Sequence, residues 1–211
     1  MCCLLRFPGY LHAGSLRSHD GTSKFDSIVR KLKEELTQYP DYEIFISGHS
    51  LGGALCQLLA FELASLEDDT IPKPIRAISF ASPQVGNKDY AAAFAALERA
   101  GRIRHLRVTN QGDLVPELPF GFGYSQTGIN VHVNKSKKAK IGYGAVKNVL
   151  SQASLHSGDM HSLRVYNERL FNDLNADILS LTIDQLYQKE AGIAFPSEQK
   201  SVQTKCTIGS S

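Results

Sequence analysis

The chain has 211 residues, 42% hydrophobic and 21% charged, enough for one domain with a sizeable core. Its 23 Lys and Arg against 21 Asp and Glu leave a formal charge of +2. Phosphate recognition favours a large basic excess, so this balance argues against a dedicated nucleic-acid binder.

From Met1 to Leu11 a short apolar patch is broken by Arg6, Pro8 and Gly9, which falls short of the apolar core of a secretory signal. No stretch reaches the roughly 18 apolar residues that span a bilayer. As written, the chain reads as cytoplasmic, without a transmembrane segment. Cys2 and Cys3 follow the initiator Met, where S-acylation is conceivable. With Cys56 in an apolar stretch and Cys206 near the end, there is no C-x-x-C pair, and no disulfide framework is expected.

Phe25, Ile28, Val29, Leu32 and Leu36 recur at offsets of three and four, which predicts an amphipathic helix over 23–38, with Ser23 and Asp26 resembling a capping box. Pro40-Asp41 ends it, and Glu43 to Ser47 reads as a short buried strand. A glycine-rich turn, Gly48 to Gly53, leads into an apolar helix from Ala54 to Leu66, which reads as buried on most sides. Strands follow at Ile75 to Phe80 and Ile103 to Thr109, with a helix near Lys88 to Ala100 between them. Strand and helix alternating with short links predict parallel pairing and right-handed crossovers. Ile129, Val131 and Val133 alternate with polar residues and read as a half-exposed strand, followed by a solvated turn over Lys135 to Lys140. A helix from His161 to Leu174 is expected to present Leu163, Tyr166, Leu170, Phe171 and Leu174 on one face, and the chain from Ala191 onward reads as a loose tail.

Gly48-His49-Ser50-Leu51-Gly52 matches G-x-S-x-G between a predicted strand and a predicted helix. A nucleophile elbow requires that context. The serine at the apex of so sharp a turn is held in a strained backbone conformation, and flanking glycines let strand and helix approach closely. Its hydroxyl then projects above the sheet edge, where the backbone N–H of Leu51 can meet a developing oxyanion.

Four further segments accompany the elbow: His12-Ala13-Gly14, Tyr39-Pro40-Asp41-Tyr42, Phe80 to Asn87 and Arg107 to Pro116. In order and spacing, the set resembles the fungal-type (class 3) lipase family over roughly residues 10 to 174. The resemblance implies an α/β-hydrolase fold, a mostly parallel sheet flanked by helices, and hydrolysis of carboxylic esters, commonly of acylglycerols. Residues 10–175 would form this domain, and 176–211 a C-terminal helix and loose tail.

A serine hydroxyl needs a base, and the base an orienting acid, in the chain order serine, acid, histidine. Asp113 follows the third strand at the sheet edge where Ser50 should lie, and it occupies the position of the family's catalytic acid; capping the turn before Leu114 is its structural alternative. Of seven histidines, His12 and His19 precede the serine, His105 and His132 fall in strands, and His49 points away from the reaction face in related folds. His156 and His161 remain. The resemblance favours His161, whose following residues Ser162 to Tyr166 match the family's final histidine and helix.

The family also carries an upstream Arg-Gly-Thr or Arg-Gly-Ser segment that supplies a second oxyanion donor, followed by a lid. Leu4 to Gly9 does not reproduce it. The expectation is a domain lacking its N-terminal strands and lid, read as an incomplete gene product in preference to a truncated homologue or a protein using another donor. Losing one such donor typically costs about 10²–10³ in turnover.

The function expected is a serine carboxylic ester hydrolase, a lipase acting on acylglycerols or related lipid esters through Ser50, His161 and Asp113. The alternative is a catalytically impaired lipase-like binding module. Phospholipid, galactolipid and aromatic esters stay open as substrates. The expected partners are a lipid or other apolar ester and a lipid surface; no cofactor or metal is implied, because the triad suffices for the chemistry.

Overall fold

The computed structural model describes residues 24–120, 123–144 and 157–192. In chain order they form α1 (Lys24–Gln38), β1 (Phe45–His49), α2 (Leu51–Ser65), β2 (Ile75–Phe80), β3 (Gly86–Asn87), α3 (Lys88–Arg99), β4 (Ile103–Asn110), β5 (Tyr124–Ser125), β6 (Ile129–Val133), β7 (Lys140–Tyr143), α4 (Ser157–Met160), α5 (Leu163–Leu170), α6 (Ala176–Leu179) and α7 (Ile183–Ala191). Short 3-10 turns lie at Val115–Glu117 and Asp173–Asn175.

The main sheet runs β1-β2-β4-β6-β7, parallel except for β7, while β3 and β5 pair as a small antiparallel ribbon. Because side chains alternate across a strand, β2 serves two cores at once. Ile75 and Ala77 pack with α1, α2 and α3 around Leu36, Ala60, Phe61, Leu63, Tyr90 and Phe94. Ile78 and Phe80 face the other side, with Val108, Val131, Tyr166 and Ile178. The sheet is thus sandwiched between helices, and its parallel strands all deliver their carboxyl ends to one rim. The expected order of strands and helices from β1 to β4 is the observed one, and α2 is buried along most of its length.

Several expectations need correction. The strand at β1 is not buried: it lies at the sheet edge, pairing among the described residues only with β2, and Phe45 is 57% exposed. A short apolar run carries no information about which strand is central. Conversely, β6 is not half-exposed. It lies between β4 and β7 and is buried except at His132, its polar side chains being satisfied internally: Thr109 Oγ1 bonds to Asn130 Oδ1 and to His132 Nδ1, at 3.0 Å each. The helix predicted to Leu174 stops at Leu170, and Leu163, Phe171 and Leu174 are exposed, leaving Val165 and Tyr166 as its buried residues. Asn172 then opens the 3-10 turn by accepting from Leu174 N–H. Ile28 in α1 also faces outward.

Residues 135–137 are exposed, as a solvated turn requires, with Asn134 capping the turn through the N–H groups of Ser136 and Lys137. Lys138 pairs with Asp177, tying this turn to α6, and Lys140 opens β7. Ala191, expected to start a loose tail, is instead the last residue of α7, which is capped by left-handed Gly192; the rest of that segment lies outside the described residues. No helix among the described residues is long and apolar enough to cross a membrane. Cys2, Cys3, Cys206, the Ser23 cap and the segments before it lie outside the described residues.

Candidate active site

Between β1 and α2 the backbone reverses over a single residue. Ser50 sits at φ 57°, ψ −126°, a conformation that non-glycine residues rarely adopt. It is held there by its own N–H, which donates to Phe80 O at 2.9 Å across the sheet. Two glycines make the reversal possible. A Cβ on Gly48 would lie 2.1 Å from the carbonyl oxygen of Gly52, and one on Gly53 would lie 2.9 Å from Ser82 Cβ. Gly52 has open space where its Cβ would be, so Gly53, outside the pentapeptide, is sterically the more demanding position. Although Ser50 precedes a helix, its hydroxyl makes no capping bond.

That hydroxyl meets His161 instead. Ser50 Oγ lies 2.8 Å from His161 Nε2, and His161 Nδ1 lies 2.9 Å from Asp113 Oδ2. The three side chains come from separate parts of the rim: the end of β1, the loop after β4, and the turn joining α4 to α5. Asp113 is fully buried at its side chain, and His161 is 21% exposed. With Asp113 as acceptor, the proton on Nδ1 points to the carboxylate and leaves Nε2 free to accept from the serine. Both separations are within hydrogen-bond reach, so a proton could pass between Ser50 Oγ and His161 Nε2 while Asp113 keeps the imidazole oriented.

The structural alternative for Asp113 is present as well. Its Oδ1 accepts from Val115 N–H at 2.9 Å, capping the turn, while Oδ2 serves His161. The two roles use different oxygens. Leu51 occupies the first position of α2, where a backbone N–H has no intrahelical acceptor, and the residue is 69% exposed.

Three supporting side chains were not singled out as site residues by sequence. Tyr166 donates its hydroxyl to Asp113 Oδ2 at 2.7 Å. Arg169 reaches Asn110 Oδ1 and Gln111 O, bracing the loop that carries Asp113. His49, set aside as a base, contacts His161: its Nε2 is 2.8 Å from His161 O, and the two rings lie 4.7 Å apart. The spacing of Tyr166 and Arg169 on the helix after His161 was the available signal; only the fold shows that this helix turns back over the β4 loop.

The strand histidines have structural partners. His105 is buried between Ser79 Oγ at 2.9 Å and Thr127 Oγ1 at 3.3 Å. Burial, reinforced by the neighbouring Arg107, pulls its pKa down to about 3. Burial likewise lowers that of His132, with Lys140 and Arg169 adding to the effect. His12, His19 and His156 lie outside the described residues. Cys56, a small core residue as expected, is held as a thiol by burial, which raises its pKa to about 12.

Residues 4–122 match the sequence profile of the family described as Lipase (class 3). The chain is 31% identical over 170 residues to Phospholipase A1-II 5 of Oryza sativa subsp. japonica, an alignment covering 75% of this chain and 35% of that protein. It is 32% identical over 120 residues to a lipase of Rhizopus oryzae, covering 56% of this chain and 29% of that one. The chain therefore spans about a third of the length of the curated relatives it matches. Among solved structures, the Lip2 lipase of Yarrowia lipolytica superposes with a TM-score of 0.53 at 25% identity, covering 65% of this chain and 51% of that one. The shared architecture is the α/β-hydrolase fold.

Proposed function

This chain belongs to the class 3 lipase family, and on that footing we propose that it is a serine carboxylic ester hydrolase acting on acylglycerols or related lipid esters. One observation carries the reading: the unbroken hydrogen-bonded line from Ser50 Oγ through His161 to Asp113. A binding module would have no use for a strained serine aimed at a histidine backed by a buried carboxylate.

In this reading Ser50 Oγ attacks the ester carbonyl carbon as its proton passes to His161 Nε2. Asp113 holds the imidazole in the productive tautomer and stabilises the imidazolium that forms. The oxyanion of the tetrahedral intermediate is met by the N–H of Leu51, at the positive end of α2. His161 then returns the proton to the departing alkoxide, and water repeats the sequence on the acyl-enzyme. The names carried by the similar proteins, phospholipase A1 and lipase, support a glycerolipid ester as substrate. Exposed Leu51 and Leu163, close in sequence to Ser50 and His161, support an apolar acyl chain or lipid surface at this rim.

The test is hydrolysis of a chromogenic acyl ester by the purified chain and its Ser50→Ala variant. Activity should fall to background in the variant. Full activity in folded S50A would reject the assignment.

A further inference from the structure

The base hangs from a poorly anchored piece of backbone. His161 lies in the break between α4 and α5, where the local bonds are single-turn contacts, His161 N to Gly158 O at 3.3 Å and Ser162 N to Asp159 O at 3.2 Å. Yet a triad histidine must keep Nε2 on the serine within a few tenths of an ångström, because a displacement near 1 Å can cost about 10²-fold in rate. Something outside the turn has to hold it.

Two side chains do so, on two successive carbonyls. Asn110, the last residue of β4, donates Nδ2 to Met160 O at 2.7 Å. His49, the last residue of β1, lies with Nε2 at 2.8 Å from His161 O. A carbonyl oxygen only accepts, so the His49 Nε2 must carry the hydrogen. The His49 ring also packs against the His161 ring, tilted by 40° at 4.7 Å, and meets Tyr166 edge-on at 6.3 Å. His49 therefore grips both the backbone and the imidazole of the same residue, and it is the immediate neighbour of the nucleophile.

We propose that His49 is a positioning residue for the base: its Nε2–H clamps the His161 carbonyl and its ring limits the swing of the imidazole. This rests on the reading of Ser50 and His161 given above. It explains why a residue beside the nucleophile carries an imidazole rather than an apolar side chain, since its donor is the only element linking the β1 end directly to the backbone of the base among the described residues.

The experiment is steady-state hydrolysis of a chromogenic acyl ester by the full chain and three variants. His49→Phe keeps a flat ring but removes the donor. His49→Gln supplies an uncharged amide donor near the position of Nε2. His49→Met is a second non-donor should Phe not fold. Folding is checked by circular dichroism and melting temperature. The expected result is a kcat about 10- to 100-fold lower in the non-donor variant with KM within about twofold, and substantial recovery of kcat in H49Q. An unchanged kcat in the folded non-donor, a loss confined to KM, or an H49Q no better than the non-donor would overturn it. If neither non-donor folds, an H49Q with less than a tenth of wild-type kcat would do the same. S50A run alongside separates the two levels: hydrolysis surviving in S50A sinks the parent reading, whereas a normal kcat in H49F with S50A inactive sinks only the clamp.

Discussion

The Tyr166 hydroxyl donates to Oδ2 of Asp113 at 2.7 Å, the same oxygen that faces His161 Nδ1 at 2.9 Å. With Val115 N–H on Oδ1, the carboxylate has a donor on each side and little freedom to rotate. Burial and the adjacent Asp113 hold the Tyr166 phenol well above its ordinary pKa, so it remains a proton donor. Asp113 is thus aimed by a residue on the helix that follows His161.

Tyr166→Phe should keep the ring packing and lose only this bond. Hydrogen bonds to charged groups contribute about 1.5–3 kcal/mol, so loss of this one should lower kcat roughly tenfold and also lower the melting temperature by several degrees, because the buried carboxylate loses a donor. Steady-state kinetics with a chromogenic ester tests this. A kcat equal to wild type would mean that Val115 and His161 fix Asp113 without help.

The elbow predicts opposite outcomes for two glycines four residues apart. Gly48→Ala places a methyl 2.1 Å from Gly52 O and should destabilise strongly or prevent folding. Gly52→Ala meets nothing within 4 Å and should be neutral or stabilise by up to ~1 kcal/mol through helix propensity. Melting temperatures of the two variants decide it. Equal destabilisation would show that the turn does not have the packing described.

Much of this was readable in the residues because the decisive signals are local. The elbow, the helix after it and the alternation from β1 to β4 depend on spacings within a few residues of one another. Chain order and strand placement left His156 and His161, and the family resemblance favoured His161 and placed the acid at Asp113. What escaped was set by non-local packing. The apolar run before Ser50 could not declare itself an edge strand. Asn130 and His132 signalled exposure by their polarity, yet both are satisfied inside by Thr109. Tyr166 read as one more apolar position on a helix face, because nothing in its neighbourhood shows that its hydroxyl ends on a carboxylate 53 positions earlier in the chain. His49 was set aside as a candidate base, and nothing in its sequence neighbourhood shows its contact with His161, 112 positions later in the chain.

Buried His105 gives a pH prediction. Its pKa in the folded chain is about 3, against about 6.5 for an unfolded histidine, so below pH ~6.5 the unfolded chain binds a proton that the folded chain refuses. Its contribution is therefore fully present above pH ~6.5 and is lost as pH falls toward 3, at up to about 1.4 kcal/mol per pH unit. Denaturant titrations between pH 7 and 4 should show a shallower loss of stability in His105→Gln than in wild type, even though the variant starts less stable. Parallel slopes would mean that His105 does not remain neutral in the fold.

The central claim is that Ser50 is activated by His161 with Asp113 behind it, and covalent labelling reads it most directly. A fluorophosphonate probe incubated with the folded chain, followed by peptide mass mapping, should place a single adduct on Ser50. His161→Ala should slow that labelling by orders of magnitude, and Ser50→Ala should abolish it. A folded wild-type chain that takes no label at Ser50, or that labels equally fast without His161, would contradict the account.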